Sequence, residues 1–449
     1  MDANREKAPS AQETFVQMAQ AAGLRGRILV TVGLLILARL GTFIPIPGID
    51  RIAFANDIKN SPVIGFLDIF SGGALSTVGI FALGIIPYIN ASIIIQLMTT
   101  ALPALEKLQK EEGEAGRRKI SQITRYVAVG WGIAQSIGIS LWLQRYALPG
   151  HEGVFFVVST VMALTAGSMF VMWLSELITE RGIGNGASLL IFLNIVAVFP
   201  KSLADTFNLA QSSPDDKILI RTVALLAVFV LMTVGIVFVQ EGTRRIPIIS
   251  ARRQVGRRLQ RERTSYLPLR LNQGGVMPII FASSVLVLPS ALASFAGKSA
   301  ATEGSLSPVS EVIISVANFL APGTPAHVAF YVVLIVFFSY FYSSLVVNPI
   351  DMAQNLKKMG ASIPGIRPGV ATSKYIEGIL TRLTLLGAVF LGVVATVPTA
   401  IESSLGVSTF KGFGATSLLI LVSVAIDTAK QIQTLVISQR YEGMINSKD

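Results

Sequence analysis

The chain of 449 residues is 52% hydrophobic and only 14% charged, and its mean hydropathy is +0.63. A soluble domain of this length would carry about 25% charged residues, so water is not its main solvent. The chain contains no cysteine, which excludes disulfides and thiolate-bound metals, and we predict neither a cofactor nor a metal site.

The main predicted elements are ten apolar stretches, most of them close to the roughly 20 residues that a membrane-crossing helix needs. In chain order they are Ile28–Ile46, Ile80–Thr100, Tyr126–Leu143, Val154–Ile178, Ala187–Phe199, Ile218–Val239, Val276–Phe295, His327–Val347, Ile379–Val397 and Ala415–Ile437. Polar tails, residues 1–27 and 441–449, flank them. The pattern predicts an all-α integral membrane protein with ten transmembrane helices.

The basic residues predict the orientation of these helices. Of the 37 Lys and Arg residues, 26 lie in alternate segments between the stretches, seven lie in the other segments and four lie within stretches. Basic loops stay cytoplasmic, so both termini are predicted to be cytoplasmic. Ten spans divide into five plus five, residues 28–205 and 206–440. An odd number per half starts the second half from the opposite side, as in an inverted repeat.

Three connecting segments are too long to be simple turns. Pro45–Gly79 contains a Gly-rich apolar run, residues 66–78, that is too short to span the membrane. Such a run is typical of a re-entrant or buried segment, and the alternative is an amphipathic segment lying on the surface. The other two are basic cytoplasmic loops, residues 241–273 and 348–375.

Two of the predicted spans are unusually polar. The second carries Asn90 and Gln96, and the seventh carries Ser283 and Ser284, with Asn272 at its entrance. Helices facing lipid on every side would not carry these residues. They border either a polar pathway or a movable interface, or they make ordinary hydrogen bonds between helices.

Several kinds of chemistry are missing from the sequence. It has no Walker-type phosphate loop, no HExxH and no GxSxG motif, and we predict that the chain is not itself an enzyme. No carboxylate sits in the middle of a span, which argues against an ion-coupled secondary transporter, although that class stays as the alternative. A ten-span scaffold without a pore is a second rival. Arg39, Arg221 and Arg382 are interpreted as side chains that snorkel or pair near the interface.

Seven short strings, taken together, are specific. They are FIPIPGI at 43–49, FSGGAL at 70–75, LGIIPYI at 83–89 followed by ASIIIQ at 91–96, GRRKIS at 116–121, TERGIGNG at 179–186, NLKK at 355–358 and PGIRPG at 364–369. In this order and spacing the chain closely resembles the SecY family over about residues 27–441. The resemblance implies a ten-helix channel that passes unfolded polypeptide.

The resemblance also implies a ring of apolar side chains at the narrowest part of the pore. The matching positions are Ile85, Ile89, Ala187, Ile191, Ile280 and Ile420. Branched apolar side chains make a gasket that excludes water when empty and yields around a passing chain. Ala187 is smaller than the usual family residue, and its neighbour Leu190 is an alternative member of the ring.

Two movable parts follow from the resemblance. Residues 66–78 match a short re-entrant helix, the plug, for which we expect roles of Phe66, Phe70, Ser71, Gly72, Gly73 and Leu75. The second and seventh spans match the two helices of a lateral gate that opens towards lipid. Their polar residues, Asn90, Gln96, Asn272, Ser283 and Ser284, suit an interface that must be metastable.

The remaining implications concern partners. The basic cytoplasmic loops are expected to bind ribosomal RNA phosphates and the acidic faces of the SecA motor, because guanidinium groups bind phosphate oxygens bidentately. The residues expected to do so are Arg244, Arg245, Arg252, Arg253, Arg257, Arg258 and Arg367. SecE and SecG are the implied membrane subunits, and unfolded proteins are the implied clients. The resemblance places the chain in the bacterial plasma membrane, and also in the thylakoid membrane if the source is photosynthetic.

Overall fold

The structure is a computed structural model that describes residues 22–58, 68, 71–110, 112–150, 153–212, 216–250, 254–255, 258–259, 264–286, 312, 315–316, 319–320, 324–405 and 415–446. Phe66, Phe70, Arg252, Arg253 and Arg257 lie outside the described residues. The chain divides into two compact units. The first comprises Met1–Ala204 and Val424–Asp449, and the second comprises Asp205–Ser423.

Helices account for most of the first unit. They are α1 (Ala22–Gly41), α2 (Arg51–Ile58), α3 (Ile86–Ala101), α4 (Pro103–Lys110), α5 (Gly113–Leu143), α6 (Val154–Arg181) and α7 (Gly186–Ser212), which runs past the end of the unit. A 3₁₀ turn, Gln144–Tyr146, follows α5.

A stripe of small side chains lets α5 pack closely against its neighbours. Thr124, Ala128, Gly132, Ser136 and Ser140 recur every four residues and are all buried. Residues four apart lie on one helical face, and small side chains allow helix backbones to approach closely in a membrane protein. Helix α5 accordingly packs against α3 and α6.

Two predicted spans have boundaries that differ from those the hydropathy indicates: one ends earlier and the other begins later. The first was expected to continue to Ile46, but α1 ends at Gly41 and the chain then turns through two prolines. The second was expected to begin at Ile80, but α3 begins at Ile86 after a run of turns. Helix α3 then bends by 103° into α4, because Leu102 precedes a proline and adopts an extended conformation.

The second unit contains α8 (Asp216–Glu241), α9 (Met277–Leu286), α10 (Pro325–Val346), α11 (Pro349–Lys358) and α12 (Val370–Leu405), and it shares α13 (Ala415–Asn446) with the first. The starts of α10 and α11 follow helix-capping rules. Thr324 and Asn348 each accept a backbone N–H with the side chain, and a proline follows each of them. Helix α12 packs against α8, α10 and α11.

Strands occupy the first basic loop and the middle of the second. They are β1 (Thr243–Ser250), β2 (Gln254–Val255), β3 (Arg258–Leu259), β4 (Thr264–Arg270) and β5 (Ala361–Ser362). Strand β1 lies between β4 and β5 and is antiparallel to both, with Thr243 opposite Arg270 and Ile249 opposite Ser362. One face of this three-stranded sheet buries Ile246, Ile248 and Leu269 against α11 and α12.

The prediction of a helical membrane protein is confirmed. Among the described residues, seven helices are long and apolar enough to cross a membrane, or eight if the bent pair α3 and α4 forms one span. Helix α1, which is 20 residues long and carries Arg25, Arg27 and Arg39, is not among these seven. Helix α9 is apolar, but its ten described residues are too short to span.

Candidate functional site

Residues 71–79, here called the turn segment, are folded by their own hydrogen bonds. The Ser71 hydroxyl donates to the Asp68 carbonyl at 3.0 Å and accepts the Leu75 N–H at 3.1 Å. The Ser76 N–H donates to the Asp68 carboxylate at 2.7 Å. Gly72 and Gly73 have φ values of +69° and +86°, a region that glycine adopts without a steric cost.

The turn segment is buried although it does not span. Leu75 and Val78 belong to a hydrophobic cluster that includes Phe54 of α2, Leu143 of α5 and Leu164 of α6. The backbone at the end of the segment is tied down as well. The Ile46 N–H donates to the Val78 carbonyl at 2.9 Å, in the turn that follows α1. Buried turn backbone is tolerated in a membrane protein where other parts of the protein surround it.

Asp68 is the charged group of this region. Burial raises the pKa of its carboxyl above the usual range, and this shift is opposed by the hydrogen bonds from Ser76 and by the charge of Lys201 on α7. Arg39 of α1 lies close enough to interact with the same carboxyl electrostatically. The buried carboxylate is therefore costly in its charged form.

The four predicted ring positions of the first unit lie at the starts of α3 and α7. Ile85 and Ile89 are both buried, and the Ile89 N–H donates to the Ile85 carbonyl at 3.1 Å. Ile191 is buried, whereas Ala187 is half-buried. Leu190, the alternative to Ala187, is fully buried.

In the second unit, the two ring positions are Ile280 of α9 and Ile420 of α13, and both are buried. Each unit therefore presents branched apolar side chains at the predicted positions. A ring would need residues of both units, and it stays a prediction.

The gate positions of the first unit lie on α3. Asn90 and Gln96 are half-buried. The Gln96 Oε1 atom is buried and has no hydrogen-bond partner among the described residues. An unsatisfied buried carbonyl costs about 1–3 kcal/mol, so this part of α3 carries a local energetic penalty.

The gate positions of the second unit make hydrogen bonds within that unit. The Asn272 side chain donates to the Gly275 carbonyl at 2.8 Å. The Ser283 hydroxyl of α9 donates to the Ile279 carbonyl at 2.8 Å and lies 3.0 Å from the hydroxyl of Tyr331 on α10. Ser284 is half-buried. The Ser283–Tyr331 contact ties α9 to α10.

The basic positions of the second unit lie on an exposed surface. Arg244 and Arg245 are exposed on β1, while Ile246 and Ile248 of the same strand are buried. Arg367 is exposed in the turn between β5 and α12, where its carbonyl accepts the Thr372 hydroxyl at 2.9 Å. Of the remaining predicted residues, Arg258 has a described backbone in β3. Because the side chains of Arg244, Arg245 and Arg367 are exposed, they are available to an anionic partner.

Three residues of these sites were missed by the sequence reasoning. Asp68 and Asn194 contact or approach the turn segment, and Tyr331 contacts α9. A polar residue in an apolar span was the available signal for Asn194 and Tyr331. Arg39 is predicted from the sequence to snorkel or to pair near the interface. In the structure its guanidinium donates to the Gly72 carbonyl of the turn segment.

The long apolar helices and the buried turn segment together define a multi-pass α-helical membrane protein. The SecY family profile matches residues 79–429, which is more than half of the chain. A protein translocase subunit SecY from Synechococcus elongatus is 66% identical over 452 residues, covering 99% of this chain and 100% of that protein. The chain belongs to the SecY family of ten-helix protein-conducting channels.

Solved structures agree on the fold. A structure described as showing that the plug domain of SecY stabilises the closed state of the translocation channel matches with a TM-score of 0.63 and 17% identity, covering 91% of each chain. Sec61 in a canine ribosome–channel complex matches with a TM-score of 0.60 and 15% identity, again over 91% of each chain.

Proposed function

We propose that the chain is the central pore-forming subunit of a Sec translocon, and that it also releases apolar segments of its clients sideways into lipid. The observation that carries this proposal is the turn segment, an apolar and Gly-rich stretch that is buried among helices without spanning. The expectation that no carboxylate lies in the middle of a span does not hold, because Asp427 lies near the centre of the apolar span Ser417–Ser438. A secondary transporter is still the weaker candidate, because the SecY family profile matches residues 79–429.

The turn segment is proposed to be part of the plug, residues 66–78. It is held mainly by apolar packing and by a few hydrogen bonds, so a passing polypeptide can displace it. Deleting residues 66–78 should raise the ion conductance of the channel in planar bilayers. Unchanged conductance would count against the plug and in favour of a scaffold without a pore.

The ring is proposed at Ile85, Ile89, Ile191, Ile280 and Ile420, with Ala187 or Leu190 completing it. Burial of branched apolar side chains at these positions supports the proposal. Because the chain has no cysteine, single cysteines at these sites can be crosslinked to a stalled client without background. Crosslinks at ring positions of both units are expected, and a client that crosslinks only to lipid-facing positions refutes the ring.

The lateral gate is proposed to run along α3 and α9. The unsatisfied oxygen of Gln96 supports this, since a gate must be able to leave its closed state. Asn90, Asn272, Ser283 and Ser284 are the other proposed members. Cysteines placed on α3 and α9 and joined by a bifunctional crosslinker should block the release of apolar segments, whereas the same crosslinker on single-cysteine chains should not.

The exposed arginines are proposed to bind the ribosome and the SecA motor. The chain itself is proposed not to be an enzyme, so these two partners would supply the energy for translocation. Arg367→Glu should impair SecA-driven translocation and leave insertion of the chain into the membrane intact. Lys374→Glu, an exposed charge reversal on α12, is the matched control. Equal activity of the two variants would remove Arg367 from the docking surface.

The finer assignments of partner and location are proposals as well. SecE and SecG are expected to accompany the chain, and copurification from membranes would test this. The multi-pass fold and the cyanobacterial relative are consistent with a plasma membrane location, with both termini cytoplasmic, and with the thylakoid membrane as a second site. Separating the two membranes and probing each for the chain would distinguish them.

A further inference from the structure

Arg39, in the last turn of α1, reaches across to the turn segment. Its Nη1 donates to the carbonyl of Gly72, which lies 33 positions further along the chain. The guanidinium carbon also lies 5.3 Å from the centre of the Phe43 ring, a cation–π distance. The side chain is thus held from both sides in the orientation that makes the hydrogen bond.

Asn194 of α7 also lies close to Gly72. A Cβ atom at this position would lie 2.5 Å from the Asn194 Oδ1 and 3.0 Å from the Arg39 Nη1. Its φ of +69° also disfavours other residues. Glycine is therefore needed both for the turn and for the close approach of the two side chains.

The two ends of the turn segment are held in different ways. Near its end, backbone bonds tie it to the chain after α1, including a bond from the Ile80 N–H to the Ile44 carbonyl at 2.9 Å. At Gly72 a side chain, that of Arg39, makes the tie. A side chain can swing away without unfolding the backbone, so the Gly72 end can be released while the other end stays anchored.

We propose that Arg39 is a positioning residue that latches the turn segment in its buried place, where Asn194 of α7 also lies close to Gly72. The latch opens when the Arg39–Gly72 hydrogen bond breaks, and the segment then swings about residues 77–80. This inference rests on the proposed assignment of residues 66–78 as the plug.

The test measures exposure of the segment directly. Ala74 is 0% exposed, so Ala74→Cys is a reporter thiol that is protected while the segment is buried. In this otherwise cysteine-free chain, Arg39→Gln should increase the rate of maleimide labelling at position 74 by about 10- to 150-fold, the range expected for losing a hydrogen bond from a charged donor. Arg39→Lys keeps the charge and should give a smaller increase.

Controls separate the latch from general damage. Ala128→Cys, at a residue that is also 0% exposed and lies on α5, reports on the packing of the same unit and should label at an unchanged rate. Arg221→Gln removes another intraspan arginine and should leave labelling at position 74 unchanged. The latch is overturned if position 74 is labelled at the same rate in the Arg39→Gln variant as in the chain that keeps Arg39. It is also overturned if Arg39→Gln raises the labelling rates at positions 74 and 128 equally.

Ion conductance distinguishes the latch from the plug. If Arg39→Gln speeds labelling and raises conductance, and adds nothing when residues 66–78 are deleted, both proposals stand. If the deletion raises conductance but Arg39→Gln changes neither conductance nor labelling, the latch fails and the plug stands. If labelling rises while neither change affects conductance, the segment is latched but does not seal the pore.

Discussion

Replacing Gln96 by leucine should make the proposed gate harder to open. The Oε1 atom of Gln96 is buried without a partner among the described residues, which costs the closed state about 1–3 kcal/mol. Opening the gate would expose this atom to water or to a client and relieve the cost. Leucine has a similar size and no polar atom, so Gln96→Leu should lower the open fraction roughly 5- to 140-fold.

The assay uses a series of test segments of graded hydrophobicity. It measures how hydrophobic a segment must be to leave the channel for lipid. Gln96→Leu should raise this threshold and slow the translocation of clients with weakly apolar signals. Gln135→Leu on α5 is the matched control, since Gln135 Oε1 is also buried and unpaired among the described residues but lies on a helix not assigned to the gate. Both variants should gain thermal stability, and an equal or lower threshold with Gln96→Leu would refute the reasoning.

Three further predictions concern packing and charge. Tyr331→Phe removes a hydroxyl 3.0 Å from Ser283 and should lower stability by about 0.5–1.5 kcal/mol in a thermal melt, and a double variant with Ser283→Ala should lose little more. Gly167→Ala would place a Cβ 2.1 Å from a backbone carbonyl and should destabilise by about 1–3 kcal/mol, whereas Gly130→Ala, with nothing within 4 Å, should be neutral or stabilising, and equal melting temperatures would contradict the packing of α6. The raised pKa of Asp68 means that the buried segment binds a proton more tightly than a released one, so burial is favoured as pH falls towards its ordinary value of 3.8. Ion leak should therefore decrease as the pH is lowered towards 3.8 and become independent of pH with Asp68→Asn, and a leak that grows on acidification would reverse the sign of this argument.

Local properties of the sequence were sufficient to predict much of the fold. A hydrophobic run of about 20 residues predicts a membrane-spanning helix, because the thickness of the bilayer sets the length that such a helix needs. The Gly-rich run that is too short to span was recognised in the same way, and its glycines have the positive φ that a turn requires. The spacing of Ile246 and Ile248, which are buried on either side of the exposed Pro247, likewise agrees with a strand that is buried on one face.

Local properties were misleading where a helix boundary depends on neighbours. Residues 42–46 and 80–85 continue the apolar stretches of the neighbouring helices, yet they lie outside these helices. A bridge between Pro45 and Gly79 joins the two regions. Apolar composition says that a segment is buried and does not say in which conformation, because helices and turns can both be buried when their backbone groups find partners.

Composition and apolar length thus determined a multi-pass membrane protein, and the seven motif strings indicated the SecY family and narrowed the sites to short stretches. Tertiary structure alone decided which side chains meet. Arg39 bonds to Gly72, Asn194 lies close to the same glycine, and Tyr331 pairs with Ser283 across 48 positions. Periodicity reports the face on which a residue lies, but a contact between distant residues depends on how whole helices pack, which no local pattern encodes.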